Sequence, residues 1–186
     1  MSKVLVLGKG PSLLTQCYGK DLSTFDRVVR VNNYLPIYGV DEHVTTWTYY
    51  PLHHLDPLGR PEFENKFDVM AYLEKSQEIW IVHEFTMPYA LEQLKSAPDF
   101  LLSDFEKNYY LIESDIIVPT TGMLALWAAM RQGYEVWAAG FDFYQGGHQY
   151  YFDKTPPKKQ YLPHDDPLVE KAWFDKKVKE GVIHLL

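Results

Sequence analysis

The stretch TGMLALWAAMRQGYEVWAAGFD, from Thr121 to Asp142, constrains this chain more than any other. Thr121–Gln132 reads as a helix, Gly133 stops it, and Glu135–Ala139 follows as a strand ending in the turn Gly140-Phe141-Asp142. The N-terminus carries a matching piece, a buried strand Lys3–Leu7 that stops at Gly8 and gives way to the loop GKGPSLL, with Pro11 where a helix can begin. Asp26–Val31 reads as a second strand, ending at Asn32-Asn33, and His43–Tyr50 as a third, ended by Pro51. Helical spacing of Phe67, Met70 and Leu73 leads to the strand Glu78–Val82, and helical residues around Ala90–Ser96 precede Tyr109–Ile112. Pro167–Glu180 resumes helical spacing, Gly181 caps it, and Val182–Leu186 is a last short strand. Strands alternating with helices predict an α/β fold, a mostly parallel sheet covered on both faces.

A chain of 186 residues suits one such domain, and neither a repeat nor a linker divides it. The domain is therefore expected to run from 1 to 186. Residues 145–163, rich in Gly and Pro, have no sustained period and are longer than an ordinary connection, which predicts a flexible lid. The formal charge of −7 excludes a general electrostatic footprint for nucleic acid. Six lysines in the last thirty residues (Lys158, Lys159, Lys171, Lys176, Lys177, Lys179) are a solvated helix face or a surface for an anionic acceptor or membrane. One cysteine, Cys17, excludes an internal disulfide framework and fits a reducing compartment. No run of about eighteen apolar residues spans a membrane, and the N-terminal apolar run is short for a signal peptide. The expected setting is cytoplasmic, with a peripheral contact at the inner membrane left open.

Candidate chemistry gathers where strands end. Gly8, Lys9, Gly10, Pro11 and Ser12 follow the first parallel strand, where glycines let a ligand approach and amide N–H groups can face an anion. Leu13 stands where a dinucleotide fingerprint needs its third glycine, and no GxxxxGK[ST] loop occurs, so NAD binding and ATP hydrolysis are both disfavoured. Asn32-Asn33 ends strand two, offering donors and acceptors for ribose, base or sugar hydroxyls, or serving as a turn. In GFDFYQGGHQYYFD, Tyr144 and Tyr150 flank a Gly-Gly hinge, so their hydroxyls can converge on a leaving phosphate or pack beneath the loop. No Asp-x-Asp stands at a strand end, and Asp165-Asp166 and His53-His54 are adjacent pairs whose side chains diverge. No catalytic metal and no other cofactor is therefore expected. His164, between Pro163 and Asp165, is either a surface histidine near a helix N-cap or a proton acceptor poised near neutral pH.

Four ordered segments, VLVLGKGPSL, VRVNNY, TTGMLALWAAMRQGYEVWAAGFDFYQGGHQYYFD and QYLPHDD, resemble the small bacterial sialyltransferases of glycosyltransferase family 42. The resemblance implies a Rossmann-like nucleotide-binding domain whose lid closes over a CMP-sialic acid donor. It also implies inverting, metal-independent transfer to a terminal sugar of a glycan such as lipooligosaccharide. Carried over by position, Gly8, Lys9, Gly10, Pro11, Ser12, Asn32 and Asn33 line the donor site, together with Gly140, Phe141 and Asp142. Thr120, Thr121 and Gly122 contact the donor's sugar or ribose, Tyr144 and Tyr150 hold the departing phosphate, and His164 is the general base. The resemblance leaves homo-oligomers open. Three positions depart from the family pattern: Lys9 replaces an asparagine, Tyr50-Pro51 an Asn-Pro pair, and Val118 an arginine. These departures leave room for a related CMP-activated sugar, another nonulosonic acid or Kdo. A non-catalytic nucleotide- or glycan-binding protein is the alternative of another class.

Overall fold

The computed structural model describes residues 1–32, 34, 36–49, 76–84, 87, 88, 91, 98–145 and 167–186. Seven strands are found among them: β1 (Lys3–Leu7), β2 (Arg27–Val31), β3 (Thr46–Tyr49), β4 (Glu78–Ile81), β5 (Phe100–Leu101), β6 (Glu135–Ala139) and β7 (Ile183–Leu185). They form one sheet in the order β5-β4-β3-β2-β1-β6-β7, and every paired neighbour is parallel. The expected parallel α/β architecture is what the chain adopts.

The centre of the sheet shows why these residues make strands. In β1, Val4 and Val6 enter the core on one face and Leu5 and Leu7 the core on the other, all with no exposed surface. A strand covered on both sides loses the polar–apolar alternation, which is why KVLVL reads as a continuous apolar run. Each such side chain contributes roughly 1.5–3 kcal/mol by leaving water.

Four helices are described: α1 (Leu13–Gln16), α2 (Asp104–Ser114), α3 (Thr121–Arg131) and α4 (Pro167–Lys179). In α3 every residue from Met123 to Ala129 is buried, so it is apolar on all sides, as a helix enclosed by other elements must be. It is enclosed by the sheet and by its flanking helices. The Trp127 ring stacks on Tyr110 of α2 at 5.2 Å and meets Trp173 of α4 edge-on at 6.0 Å. At its end, Gly133 N–H bonds the Met130 carbonyl and Tyr134 N–H the Ala129 carbonyl, a Schellman closure that aims the chain into β6. On the opposite face Leu5, Leu7 and Val28 of the sheet are covered by Leu13, Cys17, Leu22 and Val40.

Two stretches differ from the sequence reading. Tyr109–Ile112 belongs to the helix α2, not to a separate element. The helix begins at Asp104, three residues after Leu101, and is capped by Ser103, whose hydroxyl accepts the Glu106 N–H while the Glu106 carboxylate accepts the Ser103 N–H. This Ser-x-x-Glu capping box was present in the sequence. The aromatic pair Tyr109-Tyr110 looks strand-like in isolation but lies mid-helix, with Tyr110 inward and Tyr109 outward. The second stretch is β5, only two residues long. The helices expected around 67–73 and the lid from 146 onward lie outside the described residues. None of the described helices is long and apolar enough to cross a membrane.

Candidate functional site

Strand order reverses at β1, with β2 on one side and β6 on the other. In an open parallel sheet this switch point leaves a crevice at the carboxyl ends of the strands, where two outgoing loops diverge. The loops here are Gly8–Ser12 and Gly140–Asp142, and they are laced to each other. Gly8 N–H donates to Ala139 O and Gly10 N–H to Gly140 O, both at 2.8 Å, while Ser12 N–H donates to Asp142 Oδ2 at 2.7 Å. Gly140 N–H in turn donates to Gln16 Oε1 of α1 at 2.7 Å.

That lacing accounts for two of the glycines. A Cβ on Gly8 would stand 2.3 Å from the Gly140 carbonyl oxygen, and one on Gly10 would stand 2.4 Å from Asp142 Oδ2. Both positions are glycine because a second loop occupies the side-chain space. Sequence reasoning assigned that space to a ligand. It also left the amides of Gly8, Gly10 and Ser12 for an anion, whereas all three donate within the protein. Lys9 and Pro11 lie half-buried on the same loop.

Asn32 ends β2 in the left-handed region, at φ +50°, which asparagine tolerates better than most residues. Its N–H donates to Thr48 O at 2.8 Å, and its carbonyl accepts the Trp47 Nε1–H at 2.7 Å. The side chain is nearly buried, and Oδ1 has no hydrogen-bond partner among the described residues. Thr48 Oγ1, one strand over, is in the same condition. The backbone after Asn32 is held by Arg30, wholly buried, whose guanidinium grips Asp41 through two bonds of 2.7 and 3.1 Å and lies 4.4 Å from the Tyr34 ring centroid. Asn33 lies outside the described residues.

The N-terminus of α3 reaches the same edge of the sheet, because a helix preceding a parallel strand runs antiparallel to it. Thr120 caps it, its Oγ1 accepting the Met123 N–H at 3.3 Å. The Thr120 N–H and hydroxyl both donate to Glu170 of α4, at 2.5 and 3.0 Å, and Glu170 is only 2% exposed. Thr121 and Gly122 follow at the helix start, and a Cβ on Gly122 would come within 3.2 Å of the Phe141 ring. Phe141 stacks on Phe174 of α4 at 5.5 Å, and Phe143 sits 5.3 Å from the same ring. Glu170 was not anticipated. Its signal was position, a carboxylate in the first turn of a helix opened by Pro167, easily read as an exposed dipole partner.

After Asp142 the chain makes an uncommon turn. Phe143 and Tyr144 are consecutive aromatics at φ +48° and +56°, each in the left-handed region, and Gln145 N–H closes onto Asp142 O at 2.9 Å. Such a conformation costs of order 1–3 kcal/mol per residue and persists where packing dictates it, here the Phe143–Phe174 contact. The turn sets the direction in which Tyr144 leaves the sheet. Tyr150 and His164 lie outside the described residues.

Of the expected donor residues, the structure thus brings Gly8–Ser12 and Gly140–Asp142 into one bonded unit. It places Gly122 against Phe141 and sets Asn32 at the end of the neighbouring strand.

The chain was compared with known proteins at three levels. The model of the family described as glycosyltransferase family 29 (sialyltransferase) matches residues 1–182. The crystal structure of a mammalian sialyltransferase superposes with a TM-score of 0.62 at 16% identity, over 100% of this chain and 68% of that one. A mammalian sialyltransferase in complex with Gal-beta-1-3GalNAc-ortho-nitrophenol gives 0.60 at 16% identity, over 100% and 69%. At this identity the superpositions establish the fold alone. No curated protein sequence matches the chain significantly. The resemblance in the sequence thus holds at the level of sialyltransferases; the family model that matches is that of family 29, and membership of family 42 is not confirmed. This chain belongs to glycosyltransferase family 29, the sialyltransferases.

Proposed function

We propose that the chain transfers sialic acid from CMP-sialic acid to a terminal sugar of a glycan, by inverting and metal-independent chemistry. The observation that carries the donor site is Asn32, whose buried Oδ1 has no hydrogen-bond partner among the described residues, at the carboxyl edge of the sheet beside the switch point. An unmet acceptor in such a place costs about 1–3 kcal/mol, and a donor group of the ligand, a ribose hydroxyl or the cytosine amine, would recover it. Lys9 and the amides of Thr121 and Gly122 supply positive potential for the donor's phosphate and carboxylate.

The mechanism assigned to these residues is single displacement. His164 takes the proton of an acceptor hydroxyl as its oxygen attacks the anomeric carbon. The bond from that carbon to the phosphate oxygen breaks, and CMP departs with the electron pair. Tyr144 and Tyr150 donate hydrogen bonds to the phosphate as its charge grows, the task a metal ion performs elsewhere. The acceptor is proposed as a lipooligosaccharide-like glycan. Because one mammalian structure holds a Gal-beta-1-3GalNAc derivative, that disaccharide is the first acceptor to assay.

Three measurements test this reading. CMP should raise the melting temperature while UMP, UDP, CDP and GDP do not, since only a ligand of the folded state stabilises it. Asn32→Gly keeps the left-handed backbone and removes the amide. It should weaken CMP binding on the order of tenfold with little loss of stability. Transfer to the disaccharide should survive excess EDTA and vanish in His164→Ala, with CMP binding retained. No stabilisation by CMP, or a His164→Ala enzyme as fast as wild type, would refute the donor class or the base respectively.

A further inference from the structure

The α2 helix presents an apolar stripe to solvent. Phe105, Tyr109 and Ile112 are 86%, 67% and 84% exposed, and Ile117 just beyond the helix is 77% exposed. At 3.6 residues per turn the three helical positions fall within an arc of about 60°. Scattered apolar side chains on a surface need no explanation, but three on one face of a helix do.

We propose that this face is the interface of a twofold homodimer, with α2 packed antiparallel against α2 of a second copy. The stripe is nearly symmetric about Tyr109. Phe105 lies four residues before it and Ile112 three after, about 6 Å and 4.5 Å along the axis. A dyad through Tyr109 therefore sets Phe105 of one copy against Ile112 of the other with a mismatch of about 1.5 Å, the self-complementarity an isologous contact needs. The patch offers on the order of 500 Å² of apolar surface. With the neighbouring Asp104 and Asn108 it approaches the roughly 800 Å² each partner contributes to a standard interface.

The charges around the stripe favour a second copy over a bilayer. Each carboxylate on α2 is paired within its own protomer: Asp104 with Lys107 at 2.5 Å, Glu106 with Arg131 at 2.8 Å, and Glu113 with Lys177 at 2.5 Å. Two such rims meet without strong repulsion. The one basic residue of the helix, Lys107, is engaged with Asp104, whereas an anionic lipid surface recruits helices with an excess of Lys and Arg.

Cysteine crosslinking on the intact chain tests the geometry, because its background is low. Cys17 is the single cysteine, 4% exposed, with its thiol pushed up by burial to about 11. Tyr109→Cys should give a covalent dimer with a short bis-maleimide, which alkylates one thiol from each copy. Phe105→Cys should not, yet a mixture of Phe105→Cys and Ile112→Cys should. Sedimentation equilibrium should show a dimer for wild type, and Tyr109→Arg should raise its dissociation constant at least about thirtyfold while leaving the protomer folded by circular dichroism. A wild-type monomer at high micromolar concentration would overturn the proposal. So would crosslinking that ignores position, a Tyr109→Arg dimer as tight as wild type, or binding of the monomer to phosphatidylserine vesicles through this stripe. CMP-induced stabilisation, measured on the same variants, reports separately on the donor site.

Discussion

Replacing Glu170 should disturb both the stability of this chain and the geometry of its donor site. The carboxylate is 2% exposed and accepts two hydrogen bonds, from the Thr120 N–H at 2.5 Å and the Thr120 hydroxyl at 3.0 Å. Bonds to a charged acceptor contribute roughly 1.5–3 kcal/mol each. The N-terminal dipole of α3 adds favourably to a negative charge in this position. Against these stands the cost of burying a carboxylate, which the alanine variant no longer bears. The balance for Glu170→Ala is a loss of about 2–4 kcal/mol. In a chain of this size that corresponds to a fall in melting temperature of roughly 5–15 °C. Glu170→Gln is isosteric and keeps one acceptor for one of the two donors, so its loss should be about 1–2 kcal/mol.

The functional arm follows from chain connectivity. His164 stands three residues before Pro167, where α4 begins, and Glu170 fastens the first turn of that helix to the start of α3. Loosening the fastening should lower kcat at least tenfold while changing CMP affinity by less than about threefold, because positioning is lost more than binding. Thermal unfolding, CMP titration and transfer kinetics on the three proteins decide it. Glu170→Ala melting within about 2 °C of wild type would refute the packing argument. Equal losses in kcat and CMP affinity would refute the positioning argument.

Three further outcomes are expected. Gly10→Ala should destabilise the chain by about 2 kcal/mol or more and abolish CMP-induced stabilisation, because the new methyl would drive Asp142 off the Ser12 N–H. Adding Asp142→Gly should restore part of the CMP response, and a double variant worse than the single one would contradict the steric cause. Tyr144→Phe with Tyr150→Phe should slow hydrolysis of CMP-sialic acid without acceptor by about 10²-fold, and an unchanged rate would remove the phosphate role. Burial raises the Glu106 pKa, but the hydrogen bonds from Ser103 and the Arg131 pair outweigh it and hold the carboxyl below its ordinary value. Its contribution to α2 is thus present above the unfolded carboxylate range and is lost as pH falls through the folded value. Wild-type α2 should therefore become more labile to amide exchange in acid while Glu106→Gln stays flat, and parallel profiles would refute the assignment.

What could be read from the sequence was whatever depends on neighbours along the chain. The strand Lys3–Leu7, the α3–Gly133–β6 unit and the parallel sheet were legible because burial period, helix stop and element alternation are local signals. The partners across the fold were not. Gly8 and Gly10 announced a backbone that must be approached, but not that the approaching atoms are the Gly140 carbonyl and the Asp142 carboxylate, some 130 residues away. Glu170 carried even less, since a glutamate in the first turn of a helix looks the same whether it faces water or Thr120. Asn32 was ambiguous between turn and ligand contact, and it is a left-handed residue whose buried Oδ1 has no partner among the described residues. The two descriptions are linked. The positive φ and the Trp47 bond fix the backbone, so that in the proposed donor contact the amide would not need to reorganise. The same logic covers Asp142 and Glu170, which set the two loops and the helix start before any donor binds. The proposed transfer, in which one proton is taken and one phosphate stabilised, would depend mainly on such pre-set geometry. Positions that only brace the site should therefore be nearly as sensitive in kcat as the residues that touch the donor.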